Sequence, residues 1–178
     1  TKGRIMLGVG VGWLEEEFNA LGVPFERRGA RTDEYMGALR ALWTNDDATF
    51  AGDFVNFDGI SMNPKPHNGT VPFHIGGHST RAARRAGELG DGFFPGKGNL
   101  PELIDVVHQT AAGAGRDVTA IEITATHPGM FGDDPIAAVE EAASWGVHRL
   151  VIPAFLFAKQ PDAVNETIPL FMDKLRSS

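Results

Sequence analysis

Cysteine is absent from all 178 residues, and that absence removes disulfide scaffolds, thiolate zinc sites and thiol nucleophiles from consideration. It also fits a reducing, cytoplasmic setting. No stretch approaches the ~20 consecutive apolar residues of a bilayer span, and Thr1-Lys2-Gly3-Arg4 leads into a strand-like run, not a signal peptide. No membrane association is expected. An excess of positive charge is missing too. The 16 Lys and Arg stand against 23 Asp and Glu, a net −7. A phosphate backbone needs clustered cations, so nucleic acid is not an expected partner. Hydrolase and dinucleotide signatures are lacking: there is no Gly-x-Ser-x-Gly, and the glycines at 8, 10 and 12 lack the Gly-x-Gly-x-x-Gly spacing. No Asp or Glu cluster converges on the histidines, so no metal site is expected.

What remains is an ordinary globular balance, 42% apolar and 22% charged. Such a chain fills a core, and its length suits a single domain over residues 1–178. Short apolar runs, each closed by Gly or Pro, read as strands: Ile5–Val9, Val71–Ile75, Gly92–Phe94, Ile121–Ala125 and Leu150–Ile152. Helical patterns lie between them. In Asp33–Leu42 a stripe of Tyr35, Met36, Leu39 and Leu42 is expected to be buried. Ser79 or Thr80 is a natural N-cap for the helix through Ala82, Ala83, Ala86 and Leu89. Pro101–Ala112 and Pro135–Trp145 open on proline at a position where its missing N–H costs nothing. A last helix is predicted over Pro161–Leu175.

Alternation of this kind implies an α/β fold with parallel strands covered by helices. Residues 45–70, rich in Asp, Gly, Pro and Asn, break the pattern. They read as an insertion with a hairpin near Phe50–Phe54, either a lid or wall beside a site or a cover for a helix end. Five βα units are too few for a closed eight-stranded barrel, whose chains run to about 200 residues or more. An open five-stranded sheet or a portion of a larger barrel are the two solutions. The start without Met, just before the first strand, predicts a piece of a longer sequence.

The run Gly3-Arg4-Ile5-Met6-Leu7-Gly8-Val9-Gly10-Val11-Gly12-Trp13, followed by Leu21-Gly22-Val23-Pro24-Phe25 and Arg28-Gly29-Ala30-Arg31-Thr32-Asp33-Glu34, resembles the luciferase-like monooxygenase family. Within it, the likeness is to the F420-dependent oxidoreductase branch found in actinobacteria. Asn63-Pro64-Lys65-Pro66, Pro72–Ser79, Leu89–Pro95 and Gly146–Pro153 fit the same pattern in the same order. The resemblance implies a (β/α)₈ TIM-type barrel, of which this chain holds strands four to eight and lacks the first three. It further implies hydride transfer between coenzyme F420 and a small organic substrate. An FMN-dependent monooxygenase on the same barrel is the alternative, and an inactive fragment or non-catalytic cofactor-binding paralogue is the third reading. Family members are often dimers, so a homodimer is expected.

In a barrel, the carboxyl ends of the strands carry the site. Gly76-Gly77-His78-Ser79-Thr80 stands at one such end and opens a helix, where bare backbone and unpaired N–H groups suit a phosphate. Read alone it is equally a glycine turn with an N-cap, and the resemblance makes it the loop holding the cofactor phosphate. Gly10 and Gly12, at the end of the first strand, admit a flat ring close to the backbone or pack tightly on Phe18 and Leu21. Trp13 either lines the cavity or joins that packing. Pro95, Gly96 and Lys97 end the third strand, where Lys97 pairs with a phosphate or with the acidic tail of F420, or stays solvated. Arg81, Arg84 and Arg85 form either a local anion site or a solvated helix face. Arg28 and Arg31 either assist with phosphate or pair with Glu26, Asp33 or Glu34. Among the histidines, His127 is the candidate acid, ahead of His78 and His74.

Overall fold

A computed structural model describes residues 1–132, 134–153, 155 and 163–176. Its main sheet comprises β1 (Leu7–Val9), β4 (Phe73–Gly76), β5 (Gly92–Phe94), β6 (Glu122–Ala125) and β7 (Arg149–Leu150). Every neighbouring pair is parallel, and the spatial order β1-β4-β5-β6-β7 follows the chain. That order separates two α/β solutions. A doubly wound sheet reverses direction at a switch point, whereas a barrel adds each strand beside the last. No reversal occurs here, so the sheet is an arc of barrel type. The antiparallel pair β2 (Ala48–Ala51) and β3 (Asn56–Ile60) stands apart as a hairpin within the 45–70 excursion.

Helices α1 (Glu15–Ala20), α2 (Arg28–Thr44), α3 (Thr80–Leu89), α4 (Leu100–Gly113), α5 (Pro135–Ser144) and α6 (Val164–Arg176) complete the described elements, with short 3₁₀ turns at Val118–Ala120 and Pro128–Phe131. Strand side chains alternate between two faces. Phe73, Ile75, Phe93 and Ile123 point to the helix side and are fully buried with Ala83 and Ala86 of α3 and Val107 and Ala111 of α4. The opposite face carries His74 and its lateral partners Gly8 and Gly92, with Glu122 beyond. There Arg149 pairs with Glu122 at 3.0 Å. His74 lies over Gly92, where a Cβ would stand 2.5 Å from its ring.

The amino-terminal rim of the sheet is fastened by ion pairs. Asp91 accepts from the Phe73 N–H at 2.9 Å and from Arg40 at 3.1 Å. Arg116 donates to the carbonyls of Gly87 and Gly90, each at 2.6 Å, at the carboxyl end of α3. Among the described residues no helix is long and apolar enough to cross a membrane.

Most strands are shorter than expected. β1 begins at Leu7, β4 at Phe73 and β6 at Glu122, while β7 covers Arg149–Leu150, not Leu150–Ile152. Helix α2 is longer, and Tyr35, expected in the buried stripe, is 47% exposed. The physical reason is that α2 packs against both β2 and α3, so its buried residues Met36, Ala38 and Trp43 do not share a single stripe. Residues 161 and 162 of the predicted last helix lie outside the described residues.

Candidate functional site

The carboxyl ends of β1 and β4 open into one cleft of about 830 Å³. Two loops form its floor, Gly10–Trp13 after β1 and Gly76–Ser79 after β4. The amino-terminal parts of α2 and α3, with Arg27 just before α2, form its walls through Arg27, Arg28, Gly29, Ala30, Arg81, Ala82 and Arg85. Local chemistry dictates the loops. Gly77 has φ +128°, and a Cβ there would stand 2.9 Å from the Ala82 methyl. The chain can turn sharply into α3 only with glycine at this point. Ser79 then caps the helix, its hydroxyl accepting from the Ala82 N–H at 3.2 Å. Gly12, at φ +78°, presses on Phe18, whose ring would meet a Cβ at 2.6 Å. Gly10 has nothing within 4 Å of its Cβ position, so its bare backbone faces open space.

The lining includes four arginines and no carboxylate. Arg28 is rigidly placed: it donates to the Gly12 carbonyl at 3.1 Å and lies 3.7 Å over the Phe25 ring. Arg85 pairs with Asp33. Arg27 bonds Asp53 at 2.5 Å and covers Phe54. Arg81 is exposed and makes no hydrogen bond or ion pair among the described residues.

Of the residues singled out from the sequence, Gly10, Gly12, Gly76, Gly77, His78 and Ser79 line this cleft together. Thr80, the exposed first residue of α3, does not. Pro95, Gly96 and Lys97 follow β5 beside the glycine loop, whose Gly77 N–H reaches the Phe94 carbonyl at 3.3 Å, but they too lie outside the lining. Trp13 is 82% exposed at the mouth and Leu21 78% exposed, so packing on Phe18 belongs to Gly12 and not to Trp13.

His127 is not brought to the cleft. Its ring is buried, Nδ1 accepts from the Gly129 N–H at 3.1 Å, and Nε2 lies 3.2 Å from Glu141 on α5, with Trp145 at 5.4 Å. Both nitrogens therefore serve local structure. Arg28 and Arg31 bond backbone carbonyls, Arg31 reaching Pro24 at 2.7 Å, so of the two alternatives the pairing with Glu26, Asp33 or Glu34 carboxylates is not the one seen. Glu34 instead accepts from the N–H groups of Asp53, Phe54 and Val55 and pins the hairpin to α2. No residue of 45–70 lines the cleft. Arg27 was not visible as a site residue; the adjacent Arg27-Arg28 at the start of a helix without an acid in its first turn was the available signal.

The profile of the luciferase-like monooxygenases matches residues 1–170. The chain belongs to the luciferase-like monooxygenase family. It is 33% identical over 177 residues to an F420-dependent glucose-6-phosphate dehydrogenase of Nocardia farcinica, covering 94% of this chain and 51% of the relative. It is 31% identical over 169 residues to an FMNH(2)-dependent dimethylsulfone monooxygenase of Pseudomonas putida, covering 93% and 44%. The solved structure of an F420-dependent secondary alcohol dehydrogenase, in complex with an F420-acetone adduct, superposes with a TM-score of 0.60 at 26% identity, over 70% of this chain and 40% of that one. This luciferase-like chain thus spans about half the length of the curated relatives it matches. Its arc of parallel strands is the arrangement of the TIM barrels among its structural neighbours.

Proposed function

We propose that the chain supplies the phosphate-binding side of an F420-dependent oxidoreductase acting on a small organic substrate. The observation that carries the reading is the cleft itself, which joins a bare glycine floor at two strand ends to a cationic, carboxylate-free wall. The fit to the cofactor is chemical. A flat ring needs backbone without side chains, which Gly10 and Gly76 offer, and a phosphate needs N–H donors and cations, which the Ser79-capped turn and Arg28 offer. Deazaflavin, when bound, supplies the hydride chemistry. The protein's part is to hold the ring against the glycine floor and to orient the phosphate over the first turn of α3, beside the Phe25-backed Arg28. Pro95, Gly96 and Lys97, on the neighbouring strand end, border the same loop and extend the cofactor's seat.

FMN is the second reading, and its support is the dimethylsulfone monooxygenase, almost as similar as the dehydrogenase. Equilibrium titration with F420 and with FMN, read by cofactor fluorescence, separates the two. The F420 reading expects tighter binding of F420 and weakening of that binding in Gly77→Val, which fills the turn under the ligand. Tighter binding of FMN transfers the assignment to flavin. Failure of both ligands to bind supports a non-catalytic role for the chain. The expected homodimer belongs to the same proposal.

A further inference from the structure

Residues 13–21 carry α1 past the mouth of the cleft, and little attaches them to the body of the chain. Helix α1 buries no residue, and no side chain caps its amino end. Only Leu14 and Phe18, one turn apart on one face, are half-buried. The backbone bonds of the stretch close on itself. The Glu17 N–H reaches the Leu14 carbonyl at 3.2 Å, the Leu21 N–H that of Glu17 at 3.0 Å, and the Val23 N–H that of Phe18 at 3.0 Å. Among the described residues, none of its side chains makes a hydrogen bond or an ion pair. What fastens it is one ring, Phe18, set edge-on to Phe25 at 5.2 Å. Segments with so few buried apolar contacts are the ones that shift locally at low cost.

The segment is bracketed by two glycines in the left-handed region, Gly12 at φ +78° and Gly22 at φ +66°, and such residues absorb the backbone changes of a hinge. Their surroundings differ. The Gly12 carbonyl accepts from Arg28 at 3.1 Å, which fixes the body side of that joint. Gly22 has nothing within 4 Å of its Cβ position, so its joint is unobstructed. Between the joints, α1 is a self-contained unit, with Glu15, Glu16 and Glu17 complementing the dipole of its first turn. Trp13 stands directly after the first joint. It lines the cleft and is nevertheless 82% exposed, which leaves most of a large apolar ring in water beside a cavity that could cover it.

We propose that residues 13–21 are a lid, hinged at Gly12 and Gly22 and pivoting on Phe18, which closes on a bound ligand and carries Trp13 over it. The proposal rests on the cleft being the ligand site, as argued above, and not on which cofactor occupies it. Closure buries the indole against the ligand and displaces water from the β1 side of the cleft. The side toward β6 and β7, which contribute nothing to the lining, stays open.

The absence of cysteine makes the motion measurable by paired spin labels. One is placed on the lid through Glu16→Cys, the other on α3 through Arg84→Cys, both positions being exposed and outside the lining. The distance between them is expected to shorten when F420 or FMN saturates the chain, with saturation followed separately by cofactor fluorescence. In the unlabelled chain, Trp13→Ala is expected to weaken cofactor binding about threefold to tenfold, and Trp13→Phe, which keeps a flat ring, to restore most of it. An unchanged distance in the saturated chain, or an unaltered affinity in Trp13→Ala, overturns the lid and leaves the assignment of the cleft intact. Should neither cofactor bind, the redox reading falls and the ligand-free chain decides the lid. Two distance populations then support it, since a closed state is sampled before any ligand arrives, and a single narrow distance overturns it.

Discussion

Arg116 crosses from the end of α4 to the carbonyls that close α3, bonding Gly87 and Gly90 at 2.6 Å with Asp91 3.7 Å away. Its side chain is 26% exposed, so solvent does not readily replace these bonds. Arg116→Met keeps the stem but leaves the carbonyls bare, and a loss of about 2–3 kcal/mol is expected for charge-assisted bonds of this kind, read by urea denaturation. Asp117, next in the chain, illustrates the opposite case. The Thr119 hydroxyl, and then the Thr119 N–H, hold its carboxyl below the ordinary value. A lowered carboxylate pKa contributes stability that is complete above the unfolded value of about 3.9 and is lost as pH falls through the folded one. Carbon-detected NMR titration is expected to place the Asp117 midpoint below the usual Asp range, and Thr119→Ala to move it upward. A midpoint unchanged by Thr119→Ala would refute the assignment.

Helices α3 and α4 pack together, and the buried residues of α3 are all small: Ala82, Ala83, Ala86 and Gly87. A Cβ on Gly87 would stand 2.6 Å from the Val107 carbonyl oxygen and 2.8 Å from the Thr110 Cβ. Gly87→Ala raises helix propensity by about 1 kcal/mol, but the obstruction is backbone and cannot rotate away. Net destabilisation of about 1–3 kcal/mol is expected from overpacking, measured by thermal unfolding; a stabilised variant would show that the helices can part at no cost. This scale also shows what was legible beforehand. The strand of Gly92–Phe94, the Ser79 cap, the proline-started α5 and the hairpin near 50–54 follow from turn chemistry and alternation, which act within a few residues. Tyr35 did not, because a helix with two neighbours has no single apolar stripe. The hairpin's position did not either. Its docking depends on Glu34 meeting three N–H groups about twenty residues away in sequence, and no local pattern encodes such a meeting. The Pro-Gly after His127 marks a strand end in the sequence, and that same turn is what occupies its Nδ1.

At the scale of the molecule, the sheet is an arc, and the cleft uses only one end of it. Its lining comes from β1, β4 and their following elements, while the ends of β5, β6 and β7 contribute nothing to it. A hydride acceptor held on a glycine floor with one side open can be bound, but its reacting face is not shielded from water or opposed by a positioned substrate. Proximity and electrostatic preorganisation, the two large sources of rate in such chemistry, both require groups on the far side of the ring. In TIM-type barrels those groups come from the ends of several strands, and the chain spans about half of its relatives' length. The 178 residues alone are therefore expected to bind an anionic cofactor yet transfer hydride at least about a hundredfold more slowly than the same residues fused to the complementary half of the Nocardia farcinica relative. Cofactor affinity and the rate of deazaflavin reduction, measured on both proteins, separate the two contributions. Equal rates would mean that this arc and its cleft already contain everything the reaction needs.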